Sequence, residues 1–105
     1  MYVARFSYNV LPSNRQRALE LIEREVKAAR ENNFNARLLV PLTRGEGGAA
    51  LQFEVDLTNL EQLDQFRNSG VGSGEETSKW MQAFSEILLS PPEVAILRVH
   101  EPRAA

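Results

Sequence analysis

Two groups of side chains in this sequence are of types that could do chemistry. The first is aromatic: Phe6, Tyr8, Phe53, Phe66, Trp80 and Phe84 fall where apolar periodicity predicts an inward face. Rings with a few polar tips suit a flat small molecule, and Tyr8 and Trp80 each bring a polar atom that needs a partner. The same rings also describe an ordinary packed core, and both readings stay open. The second group is polar: Arg5, Ser7, Asn9, Gln52, Glu54, Arg98 and His100 are expected on the opposite sheet face. Opposite charges on neighbouring strands form a network there, and His100 beside a carboxylate would titrate near neutrality. With one histidine and no paired nucleophile, a structural network explains that face better than a catalytic site does.

Other chemistries find less support. The run Asn68-Ser69-Gly70-Val71-Gly72-Ser73-Gly74 precedes a helix and could expose amides to an anion. It follows a helix instead of a strand and lacks the lysine of a phosphate loop, so it reads as a connector, with a lid over the aromatic layer as the alternative. The acidic residues are scattered along helix surfaces, so no metal is expected. Cysteine is absent, which excludes disulfides, thiolate ligands and a cysteine nucleophile, and fits a reducing cytoplasm. A formal charge of −2 without a basic run argues against nucleic acid. The opening MYVARFSYNV reads as a strand, not as a leader, and no apolar run reaches the ~18 residues of a membrane span.

These side chains need a scaffold. At 105 residues, 43% apolar and 25% charged, the chain predicts one domain, 1–105, with one core. Residues 2–10 alternate as a strand, and Ser13 with Gln16 offers a capping box for a helix carrying Ala18, Leu19, Ile22, Val26 and Ala29. Asn32-Asn33 stop it. A strand over 35–42 contains Pro41, which confines it to a sheet edge. A hairpin loop at 44–48 leads to Leu51, Phe53 and Val55 alternating with Gln52, Glu54 and Asp56. Thr58 with Glu61, then Ser73 with Glu76, offer boxes for two helical pieces, the first with Leu60, Leu63 and Phe66, the second with Trp80, Met81, Phe84, Ile87 and Leu88. Pro91-Pro92 end the second piece, and 94–100 form the last strand.

The order β-α-β-β-α-β predicts a ferredoxin-like α+β fold: a four-stranded antiparallel sheet of order 4-1-3-2 with helices on one face. The last strand takes an edge while apolar on both sides, Val94 and Ile96 against Ala95, Leu97 and Val99. An uncovered edge of that kind invites aggregation, so something should cover it.

In length, split second helix, the phrase Leu51-Gln52-Phe53-Glu54-Val55-Asp56-Leu57-Thr58-Asn59-Leu60-Glu61, and the doubly apolar last strand, the chain resembles the dimeric α/β-barrel group. That group includes antibiotic-biosynthesis-monooxygenase-like, haem-degrading-monooxygenase-like and NIPSNAP-like proteins. The resemblance implies a homodimer, in which a second copy covers the last strand and the polar sheet face. It also implies a small aromatic ligand between sheet and helices and, in its enzymatic version, cofactor-independent oxygenation of an electron-rich substrate deprotonated in a dry cavity. The non-enzymatic alternative is a homodimeric module with a solid core. Haem-degrading relatives use an Asn on the first strand with a Trp and a helical His. Asn9 and Trp80 fall in comparable elements, but His100 ends the last strand, leaving no helical imidazole for iron, so no cofactor is expected.

Overall fold

The computed structural model describes residues 1–43, 48–68 and 74–102. Most of the loop at 44–48, residues 69–73 of the glycine run and Ser73 of the Ser73/Glu76 box lie outside them.

Strand β1 (Tyr2–Tyr8) pairs antiparallel with β3 (Leu51–Leu57) on one side and β4 (Glu93–Arg98) on the other, and β2 (Asn35–Leu39) pairs with β3. The order β2-β3-β1-β4 is the ferredoxin-like arrangement the periodicities predict, an α+β fold with the proline-bearing segment at one edge. Alternation decides what each face does. Ala4, Phe6 and Tyr8, with Leu51, Phe53, Val55 and Leu57, join a core with the helices, while Arg5, Glu54 and Asp56 face the other way. The strand limits differ from the apolar runs: β2 stops before Pro41, and β4 starts earlier, at Glu93, and ends before His100.

Helix α1 (Arg15–Glu31) starts differently from the expected box. Pro12–Asn14 form a single 3-10 turn in which the Asn14 amide donates to the Leu11 carbonyl (2.9 Å), so α1 begins after Ser13 has been used in the turn. Its end is as the sequence predicts. Asn33 sits at φ 65°, its amide donates to the Arg30 carbonyl and the Phe34 amide to Ala29, which is the Schellman arrangement. Ala18, Leu21, Ile22, Val26 and Ala29 are buried along α1, with Leu19 half-buried.

Helix α2 (Glu61–Asn68) is capped one residue later than Thr58–Glu61 suggests. The Gln62 amide donates to Asn59 Oδ1 (3.1 Å), and Gln62 Oε1 accepts from the Thr58 amide. Leu60 therefore precedes the helix and is exposed, whereas Phe66 is buried. Helix α3 (Gly74–Ser85) ends before Ile87 and Leu88, because Leu88 forms a bridge with Val10 and the Leu89 amide donates to the Asn9 carbonyl (2.9 Å). No helix among the described residues is long and apolar enough to cross a membrane.

Candidate functional site

Between the sheet and the helices the aromatic rings border a cavity of about 410 Å³. At one end Phe6, Phe53 and Phe66 form a triangle with ring centroids 5.6 to 5.9 Å apart. At the other, Phe84 packs against Tyr8 (4.8 Å) and Trp80 (5.2 Å). The strands fix the first set by alternation, and α3 supplies Trp80 and Phe84 one helical turn apart. Met81, Pro92 and Val94 are exposed lining residues and form its rim. Tyr8, Trp80, Phe6, Phe53 and Phe66, the ring positions singled out from the sequence, all lie on its wall.

Four lining side chains carry hydrogen-bonding atoms besides the rings' carbon surface: Tyr8, Trp80, Ser85 and Glu25. Trp80 Nε1 donates to the Leu21 carbonyl (2.7 Å), tying α3 to α1, and the Ser85 hydroxyl donates to the Gln82 carbonyl (2.9 Å). Those two are committed within the protein. Tyr8 and Glu25 face the cavity instead, with Glu25 close enough for Tyr8 to feel its charge. Burial pushes the Tyr8 phenol above its ordinary range, and the Glu25 charge pushes it further. Burial also raises the Glu25 carboxyl above the usual carboxylate range. Sequence reasoning missed Glu25, although a signal was present. Positions 18, 21, 22, 25, 26 and 29 are one helical stripe, and Glu25 is its single charged member.

The polar sheet face is an ion-pair network. Glu54, 3% exposed, accepts from Arg5 Nε through Oε2 and from Arg37 through Oε1, at 2.7 Å from Nη2 and 3.0 Å from Nε. Arg37 Nη1 also reaches Asp56 (3.2 Å), and Asn35 Nδ2 donates to the same carboxylate (2.7 Å). Burial draws the Arg37 guanidinium down, but its hydrogen bonds and charge contacts with Glu54 and Asp56 hold it above its ordinary value. The register explains the network, since Arg5 and Arg37 both stand opposite Glu54 across β3.

Ser7 and Gln52 stay on that face, where Gln52 Nε2 donates to Ser7 Oγ (3.4 Å), whereas Arg98, His100 and Asn9 lie elsewhere. Arg98 stands opposite Tyr2, so alternation puts it on the helix side with Val94 and Ile96. The shared polar character of Arg98 and Arg5 hides this difference in parity. His100 is exposed beyond the end of β4. Asn9 follows β1, and its Oδ1 accepts from the Ala50 amide (3.2 Å), which fixes the end of the β1–β3 ladder. Arg37, Asp56 and Asn35, which sequence reasoning left out, complete the network. Among the described residues no group of three or more acidic or histidine side chains is placed to hold a metal ion.

No protein-family model matches this chain, and no curated protein matches it in sequence. Solved structures do match in shape. An uncharacterised NIPSNAP domain protein from Burkholderia xenovorans aligns over 100% of both chains with TM-score 0.73 and 10% identity. A candidate antibiotic biosynthesis monooxygenase from Nitrosomonas europaea covers 94% of this chain and 98% of its own (TM-score 0.71, 11% identity). A NIPSNAP family protein from Agrobacterium tumefaciens covers 95% and 93% (TM-score 0.71, 16% identity). At such identities the likeness speaks of architecture alone. The chain has the ferredoxin-like fold that antibiotic-biosynthesis-monooxygenase-like and NIPSNAP proteins share.

Proposed function

We propose that this protein binds a small molecule with a flat, largely apolar body in the cavity between sheet and helices. The observation that carries this reading is the cavity itself. About 410 Å³ walled by six aromatic rings falls within the usual size of small-molecule sites, and a solid core would fill it with side chains. Tyr8 and Trp80 stand at one end and Phe6, Phe53 and Phe66 at the other, so the ligand lies along the sheet. Cofactor-independent, monooxygenase-like oxygenation is the second reading, supported by the shared fold and the apolar cavity wall. It requires a substrate deprotonated inside that cavity.

The ligand-binding unit in this proposal is a homodimer. On β4, Val94 is 49% exposed, and Ile96 and Leu97 are each 40% exposed, an apolar strand that lies at the sheet edge among the described residues. A second copy laid over this strand and the Glu54 network removes the hazard.

Native mass spectrometry of freshly purified protein tests both parts. The expected result is a dimer carrying an additional small mass. A dimer without added mass, unchanged on incubation with polycyclic aromatics, would leave the assembly and remove the ligand. A monomer at micromolar concentration would refute the assembly.

A further inference from the structure

Among its described lining residues the cavity holds one carboxylic acid and no lysine, arginine or histidine. Glu25 projects from the middle of α1's buried stripe, between Ile22 and Val26, and is only partly reached by water. A carboxylate withdrawn from water is expensive unless a cation or several donors meet it. Among the described residues neither a hydrogen bond nor an ion pair meets Glu25, in contrast to Glu54, which is held by two guanidiniums. Tyr8, on the same cavity wall, feels its charge as repulsion of the phenolate form. Around it stand Tyr8, Phe84 and Trp80, whose ring faces carry partial negative charge and attract cations.

Glu25 and the ring faces at this end of the cavity share one electrostatic sign. We propose that the ligand is a cation, a protonated amine on a flat apolar body, with its ammonium group paired to Glu25 and its body against Phe6, Phe53 and Phe66. The ligand then supplies the countercharge that the protein withholds. Trp80 and Ser85 have already committed their donors to Leu21 and Gln82, so they do not compete for the carboxylate. The same sign opposes a deprotonated substrate, whose oxyanion would meet Glu25 as a like charge. An amine ligand therefore separates the binding reading from the oxygenase reading. The inference rests on the cavity being a binding site and adds the chemical class of its occupant.

Three near-isosteric probes decide the matter: 2-(aminomethyl)naphthalene, 2-naphthalenemethanol and 2-naphthoate, each titrated calorimetrically into the wild-type protein and Glu25→Gln near neutral pH. The amine is expected to bind about tenfold or more tightly than the alcohol, and the carboxylate weakest, as a desolvated charge-assisted pair implies. In Glu25→Gln the advantage of the amine over the alcohol should disappear while the alcohol still binds. Alcohol binding equal to or tighter than the amine in the wild type would overturn the assignment and leave the cavity reading standing. Persistence of the amine preference in Glu25→Gln would also overturn it. Failure of all three probes to bind the wild-type protein would overturn the cavity reading, and the amine with it.

Discussion

Trp80 is the residue at which an open cavity and a packed core differ by a measurable energy. Truncating a fully buried tryptophan to alanine costs about 3–5 kcal/mol in packing. The Trp80 ring is half-buried and borders the cavity, so about half of that packing, ~2 kcal/mol, is available to lose. Its hydrogen bond to the Leu21 carbonyl adds about 1 kcal/mol. That carbonyl lies inside α1, where the helix ladder still supplies a donor, so the substitution leaves no orphaned acceptor. Trp80→Ala should therefore cost ~2–3 kcal/mol, whereas a solid core demands about 4–6 kcal/mol from the same two contributions. Trp80→Phe keeps most of the ring, loses the hydrogen bond and should cost about 1 kcal/mol. The assay is urea unfolding followed by far-ultraviolet circular dichroism, because Trp80 is the only tryptophan and its removal abolishes the fluorescence signal. Protein concentration must be held constant, since unfolding of a dimer depends on it. A cost above about 4.5 kcal/mol for Trp80→Ala would refute an open cavity beside the indole.

Two further outcomes follow from the charged groups. Glu54→Leu should destabilise the protein by about 2 kcal/mol, below the 3–5 kcal/mol of a fully buried pair because the Arg5 and Arg37 side chains, each 39% exposed, can regain water; urea midpoints of wild type and variant decide it, and a difference within about 0.5 kcal/mol would show that the network contributes nothing. Glu25 gives a pH dependence of defined sign. Its folded pKa lies above the unfolded value, so its contribution is most favourable below the ordinary carboxylate range and is lost as pH rises through the folded pKa. Glu25→Gln should accordingly be more stable than wild type at neutral pH, with that advantage vanishing below about pH 4.5. Thermal melts across that range test it, and a pH-independent difference would contradict the burial of the carboxyl.

How much of this was legible in the sequence depends on which physical rule each feature obeys. Two-residue alternation carries a residue's sheet face, which is why the ring positions on β1 and β3 and the strand order could be read directly. Counting parity strictly along β4 would also have moved Arg98 from the polar face to the helix side, since it shares parity with Val94 and Ile96. Helix starts were less legible. A capping box needs only four residues, and at 13–16 and 58–61 neighbouring turns and side chains compete for the same amides. Arg37 and Asp56 escaped for another reason. Their importance comes from standing beside Glu54 across three strands, a relation that no single segment contains.

Glu25 shows where chemistry hides in such a pattern. Folding strongly favours apolar residues on a buried stripe, and α1 obeys that rule at Ala18, Leu21, Ile22, Val26 and Ala29. A glutamate in the middle of that row lowers stability unless something outside the chain's own packing repays it. Read as part of the list of apolar residues it is invisible, because such a list records only matches. Read as the single violation of the row, it points into the space that the aromatic rings leave unfilled, and it gives that space a charge. The site is thus most legible where the sequence departs from the period that builds the fold, and the sign of the departing residue is what assigns the sign of the ligand.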